Sequence, residues 1–277
     1  MDDLDRFLAE DLGPQGLEGD VTTRAVARGE RVRARIVVQQ EGVVAGLAEA
    51  SAVLARLGSK AEHGARDGQR VAAGHEVLVV HGPAEAVLAG ERLALNFLMR
   101  MSGIATLTRR CVDLAQAVNP RCEVAATRKT TPGFRAWEKR AVELGGGVRH
   151  REGLFDAMLI KDNHIAVAGS PEEAVRRARE GTTLALEVEA DDEAQAAAAV
   201  KLGVAWVLLD NWTPRRLAEA VPGLRKLRDG VRFEASGGIA PEDVSAYAPW
   251  VDRISLGALT HSPRALPFSL EVAQVER

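Results

Sequence analysis

Several things are scarce in this sequence, and each shortage removes a class of function. No apolar run within its 277 residues approaches the length of a membrane span. The opening MDDLDRFLAEDLG is acidic and helical in pattern, unlike a basic, apolar targeting segment, so the expectation is a cytoplasmic protein without membrane contact. Positive charge is not in excess: 36 Lys and Arg against 39 Asp and Glu give a net charge of −3, too little to neutralise a phosphate backbone, which argues against a general nucleic-acid binder. The two cysteines, Cys111 and Cys122, have neither CxxC nor Cys/His spacing and read as a buried, reduced pair. Lysine is rare as well. Only six of the 36 basic residues are lysine, so wherever a generic cation suffices the chain uses arginine. Lys129 and Lys161 therefore mark places where a compact, tunable amine is wanted.

What is present concentrates in residues 123–165. There Arg128, Lys129, Arg135, Lys139, Arg140, Arg149, His150, Arg151 and Lys161 lie between two apolar strand-like runs, 123–126 and 157–160. Many of these charges fall in Gly- and Thr-rich loop sequence beside strand ends. A solvated helical face would instead alternate them with carboxylates at helical spacing, so the pattern outlines an anion site.

The rest of the chain supplies a scaffold. RVRARIVVQQ alternates charged and apolar residues as a half-buried strand does, GLAEASAVLARLG is a helix, EVLVVHG is a strand, and EGDVTTRAV is turn-like. These make an α+β sandwich unit, residues 1–105, which includes a long helix opening at Gly82-Pro83. That helix is apolar almost all round over 93–101, apart from a stripe of Arg92, Asn96 and Arg100, so a second domain or a partner subunit must bury most of it. From Cys122 on, strands at CEVAAT, AMLIK, LALEVE, WVLLD, RFEAS and RISLG alternate with helical segments. The expectation is an incomplete α/β barrel over residues 106–277, with the last residues able to return to the first domain. A doubly wound open sheet is the alternative, but no Gly-rich fingerprint follows the first strand.

Polar residues cluster where these strands end: Thr127, Arg128 and Lys129; Lys161; Glu187 and Glu189; Asp210 and Asn211; Ser236, Gly237 and Gly238; Gly257. In a barrel such ends meet on one face, where ligands bind. Taken singly, Asp210 and Ser236 could equally cap the following helices. Glu189 and Asp210 form a carboxylate pair that could hold Mg²⁺ through water beside a diphosphate, or stabilise positive charge on a sugar ring. The turns Ser236-Gly237-Gly238 and Leu256-Gly257-Ala258 can cradle a phosphate, with His261 adding a donor. Arg128, His150 and Arg151 suit a planar dicarboxylate. Together these features point to transfer of a phosphoribosyl group to an anionic acceptor through an oxocarbenium-like state.

The motifs TRKTTPGFR, GGGVRHR with GLFDAMLIKDNHI, LEVE, LLDN, EASGGI, ERLALNFLMRMSGIAT and GDVTT resemble the quinolinate phosphoribosyltransferases over nearly the whole chain. The resemblance implies an N-terminal sandwich on a seven-stranded α/β barrel, a homodimer with shared active sites that could assemble further, and a place in NAD biosynthesis. The implied reaction joins quinolinate and phosphoribosyl pyrophosphate with Mg²⁺, giving nicotinate mononucleotide, pyrophosphate and CO₂. By motif, Arg92 reaches into the partner's site, and Thr127, Arg128, His150 and Arg151 bind quinolinate. Lys129 and Lys161 face pyrophosphate and acceptor; Glu189 and Asp210 serve ribose and Mg²⁺; the two Gly turns with His261 take the 5′-phosphate. Arg149 and Arg100 stand where relatives often carry Asn and Gln or His, which implies a more basic site. Three other readings compete: a Schiff-base aldolase built on Lys161, a phosphoribosyltransferase acting on nicotinate, and a phosphate-ligand sensor.

Overall fold

The computed structural model describes residues 3–277. They divide into two compact units: one runs to Thr106 and takes back Pro263–Arg277, and the other is Leu107–Ser262. The C-terminal segment thus leaves the barrel half, where the reading from sequence had left its return open.

In the first unit, α1 (Asp3–Leu12) is the expected acidic helix; Met1 and Asp2 of the opening stretch lie outside the described residues. The segment read as a turn closes into a short helix, α2 (Val21–Val26), because the Asp20 side chain accepts the Thr23 N–H at 2.9 Å. Next comes β1 (Arg31–Val38), which buries Val32, Ala34 and Ile36 and exposes the arginines between them, the period-two pattern of a half-buried strand. It is followed by β2 (Gly42–Val43), α3 (Leu47–Arg56), β3 (Lys60–His63), β4 (Arg70–Val71) and β5 (Glu76–Pro83). The last strand of the chain, β12 (Phe268–Glu276), pairs antiparallel with β1, giving a four-stranded sheet in the order β12-β1-β5-β3. Pro83 ends β5, opposite Arg31, and does not open the next helix as its position before an apolar run had implied.

That helix, α4 (Ala84–Val118), runs 35 residues without a break, so the link between the units is helical. Ala94, Leu95, Phe97, Leu98 and Met101 are buried, while Arg92 and Asn96 of the polar stripe are exposed. Gly103 interrupts the apolar run because the returning chain passes close by: a Cβ there would stand 2.2 Å from the Arg264 carbonyl oxygen.

The second unit alternates β6 (Glu123–Ala125), α5 (Arg135–Leu144), β7 (Met158–Ile160), α6 (Asp162–Ala168), α7 (Pro171–Gly181), β8 (Leu186–Ala190), α8 (Glu193–Leu202), β9 (Trp206–Asp210), α9 (Pro214–Arg225), β10 (Arg232–Ser236), α10 (Val244–Tyr247), β11 (Arg253–Ser255) and α11 (Ala258–His261). Its sheet is parallel throughout, in the order β6-β11-β10-β9-β8-β7. Val148 adds a single parallel bridge to Ala125, one residue where the resemblance implied a seventh strand. The six strands read from sequence are these six, recognisable because strands covered by helices are continuous apolar runs. Cys111 and Cys122 are free and buried, and burial pushes both thiols up to about 12.

Candidate active site

Parallel strands with right-handed crossovers bring all their carboxyl ends to one face, and there a cleft of about 680 Å³ opens. One wall is cationic. Thr127 Oγ1 accepts the Lys129 N–H at 3.0 Å and the Thr260 hydroxyl donates to the Lys129 carbonyl at 2.7 Å, so the turn after β6 is fixed from both sides. Arg128 and Lys129 line the cleft from this turn, and His150 and Arg151 line it from the loop after Val148. Burial and the neighbouring Arg128 charge both press the Arg151 guanidinium pKa down. Among the described residues neither guanidinium is ion-paired, so two like charges share the cleft, offset only in part by the carboxylates of Glu187 and Glu189.

Behind that wall lies a buried polar cluster. His150 Nε2 is 3.1 Å from Glu234 and 3.5 Å from Glu187, and Nδ1 accepts the Arg151 N–H at 2.8 Å. Burial pulls the imidazole pKa down, but the two carboxylates outweigh it and raise it to about 9. The Arg151 N–H donated to Nδ1 opposes a proton on that nitrogen, because an imidazolium has no free lone pair; two carboxylates outweigh one amide dipole, so the net direction is upward. Burial would raise the Glu234 pKa, but His150 first, then Arg253 and the Ser255 hydroxyl, hold it down, whereas Glu187, buried beside another carboxylate, is pushed up.

The other strand ends carry carboxylates and glycine turns. At the end of β8, Glu189 is ion-paired with Lys161 Nζ. At the end of β9, Asp210 accepts from Asn211 Nδ2 at 2.6 Å. Neither Asp210 nor Ser236 caps a helix: Thr213 caps α9, and no side chain caps the turn of helix that starts at Pro241. Gly237 has φ 93°, and a Cβ there would stand 2.3 Å from Asn211 Oδ1, so this turn admits only glycine. A Cβ on Gly257 would come within 3.0 Å of both the His261 ring and the Lys129 chain, so these two side chains close over that glycine.

Both halves of the sequence match one family: residues 20–102 match the N-terminal domain of quinolinate phosphoribosyl transferase and residues 104–271 its C-terminal domain. The chain belongs to the quinolinate phosphoribosyltransferase family. A protein of Archaeoglobus fulgidus named probable nicotinate-nucleotide pyrophosphorylase (carboxylating) is 47% identical over 259 residues, 92% of this chain and 99% of the relative. One of the same name from Methanothermobacter thermautotrophicus is 43% identical over 98% of both chains. The solved nicotinate-nucleotide pyrophosphorylase of Francisella tularensis superposes with a TM-score of 0.90 at 34% identity, covering 99% of this chain and 94% of that one.

Of the residues singled out from sequence in this phosphoribosyltransferase, Thr127, Arg128, Lys129, His150, Arg151, Lys161, Glu189, Asp210, Ser236, Gly237, Gly238, Gly257, Ala258 and His261 all line the cleft. Leu256 does not. Its side chain is buried and its N–H donates to the Ala125 carbonyl at 3.0 Å, so the sheet has already used the amide that a phosphate would need. Arg149 is spent on Glu143 and Glu152, at 3.0 and 2.6 Å, and adds no charge to the cleft. Arg92 and Arg100 lie on α4 in the first unit. Glu234 and Ser255 line the cleft and were not singled out. A glutamate inside the apolar run RFEAS was the available signal.

Proposed function

We propose that this chain is a carboxylating nicotinate-nucleotide pyrophosphorylase, joining quinolinate to phosphoribosyl pyrophosphate in NAD biosynthesis. The observation that carries the reading is the Arg128–Arg151 pair, without ion-pair partners among the described residues, in one cleft with two glycine turns and the carboxylates of Glu189 and Asp210. Arg128 and Arg151 take the two carboxylates of quinolinate, where bidentate guanidinium contacts fix a planar ring, and His150, whose two ring nitrogens are already engaged, adds positive charge beside them. The turns at Ser236-Gly237-Gly238 and Gly257-Ala258, with His261, take the 5′-phosphate. Lys129 and Lys161 neutralise the pyrophosphate.

In the reaction the bond from the ribose carbon to pyrophosphate breaks and the pyridine nitrogen bonds to that carbon. The carboxylate next to the nitrogen then leaves as CO₂, and its bonding electron pair takes a proton. Glu189 and Asp210 face the positive charge that develops on the ribose ring. Mg²⁺, when bound, neutralises the diphosphate leaving group. Its donor set fits indirect binding: among the described residues the group of ligand atoms that converges is His150, Glu187 and Glu234, where Arg253 already supplies positive charge. Glu189 and Asp210 would accordingly hold the ion through water and substrate oxygens.

The Lys161–Glu189 ion pair weighs against an aldolase, which needs its amine in an apolar pocket. Exposed Leu154 and Phe155, 75% and 81% accessible and directly after the Arg151 loop, favour a partner subunit at this edge, hence a homodimer with shared sites. No helix among the described residues is long and apolar enough to cross a membrane. The free, buried cysteines fit a reducing compartment, and we assign the enzyme to the cytoplasm. Incubation with quinolinate labelled in the carboxylate beside the nitrogen, phosphoribosyl pyrophosphate and Mg²⁺ should release labelled CO₂ and nicotinate mononucleotide. Turnover of nicotinate without CO₂ from quinolinate would overturn the assignment.

A further inference from the structure

Helix α5 carries three polar residues that line no part of the cleft, yet each holds a loop that does. Lys139 is fully buried, and its ammonium donates to the carbonyls of Arg149 and Arg151, both at 2.5 Å. Glu138, also fully buried, accepts the Thr131 N–H at 3.0 Å and the Thr131 hydroxyl at 2.8 Å. Arg135 spans the two loops, donating to Thr130 Oγ1 and to the Glu152 carbonyl, each at 2.9 Å.

Buried lysine is unfavourable; here burial lowers its pKa to about 8, and a purely structural position would be served better by methionine or leucine. What the ammonium does at this position is draw together the carbonyls on either side of His150. That residue sits at φ 53°, a left-handed conformation that a non-glycine residue adopts only when its surroundings impose it. With the peptide planes before His150 and after Arg151 both held from inside, the His150 and Arg151 side chains are committed to the cleft. We propose that Lys139 is a positioning residue for the acceptor-binding arm, and that Glu138 does the same for the loop carrying Arg128 and Lys129. This rests on the assignment of Arg128, His150 and Arg151 to quinolinate.

The test uses the intact enzyme with Mg²⁺ and compares Lys139→Met, Lys139→Gln and Arg151→Lys. Methionine keeps the length and removes the donors. Lys139→Met should therefore fold with an unchanged Tm, raise KM for quinolinate by about tenfold or more, and leave KM for phosphoribosyl pyrophosphate within about twofold. Lys139→Gln, whose amide can still donate to a carbonyl, should recover part of the loss. Arg151→Lys must itself raise the quinolinate KM; if it does not, the acceptor assignment fails, independently of Lys139. If Arg151→Lys is impaired while Lys139→Met binds quinolinate normally, the positioning role is wrong. Equal loss for both substrates, or failure of both Lys139 variants to fold, would likewise overturn it in favour of a core role.

Discussion

At the scale of single residues, the site separates charges that work on substrate from charges that hold the protein. Asp210 belongs to the first kind. It lines the cleft, and the helix after it is capped by Thr213, so Asp210→Asn should fold normally yet lower kcat by at least about tenfold, with a smaller effect on quinolinate binding. Steady-state kinetics that leave kcat unchanged would remove it from catalysis. His150 gives a pH dependence. Its folded pKa of about 9 stands above the ordinary 6.5, because Glu187 and Glu234 outweigh burial, so the native state holds a proton that the unfolded chain has already released. The resulting stability is fully present below pH 6.5 and is lost as pH rises through about 9. Lys139 acts the other way. Its pKa is lowered by burial to about 8, so stability recovers as the buried ammonium is shed above that value. The two windows overlap, and the His150 part is isolated by difference. Glu234→Gln removes one of the two carboxylates, so its Tm should fall less than the wild type's between about pH 7 and 9.5. Parallel Tm curves would show that His150 does not gain a proton on folding.

At the scale of elements, the parallel strands were legible because both of their faces are buried, so most of them read as continuous apolar runs. Val148 was not. One residue bridging to Ala125 has no pattern of its own, and the sequence around it, GGGVRHR, reads as loop. The length of α4 was legible only in part, because Gly103, a residue that ordinarily breaks a helical pattern, is there for the close passage of Arg264 from a distant part of the chain. The same holds for the basic stretch. Composition identified nine cations, but it could not tell that Arg135, Lys139 and Arg149 turn to carbonyls and carboxylates, since the fold brings in each acceptor: 17 residues on for Arg135, ten on for Lys139, and six back on α5 for Arg149. Leu256 was misread for a related reason: a small-residue turn announces free amides, whereas register decides which of them the sheet takes. The turn after β10 gives a prediction of its own. Gly237→Ala places a methyl against Asn211 at a φ that only glycine tolerates, which should cost about 1–3 kcal/mol of stability and raise KM for phosphoribosyl pyrophosphate more than for quinolinate. Thermal unfolding and paired KM measurements check both parts. An unchanged phosphate-substrate KM would move the 5′-phosphate elsewhere.

At the scale of the whole molecule, the open question is how many chains make one site. The cleft of a single chain offers Arg128, His150 and Arg151, while Arg92, the remaining arginine proposed for the acceptor, stands exposed on a helix of the other unit. A two-fold dimer resolves this if each site takes Arg128 from one chain and Arg92 from its partner, since an isologous interface repeats any such loan in both directions. Homodimers of Arg92→Ala and of Arg128→Ala should then both be nearly inactive, each lacking one clamp in both sites. Mixing changes the count. In a heterodimer one site collects both defects and the other collects none. Random reassortment makes half the dimers mixed, so about a quarter of all sites regain wild-type composition. Unfolding and refolding the two variants together, separating the heterodimer by differential tags and assaying it measures the effect directly. A heterodimer with about half the wild-type activity per dimer supports the shared site. A heterodimer no more active than the mean of the two homodimers would mean that Arg92 serves its own chain's site, or none.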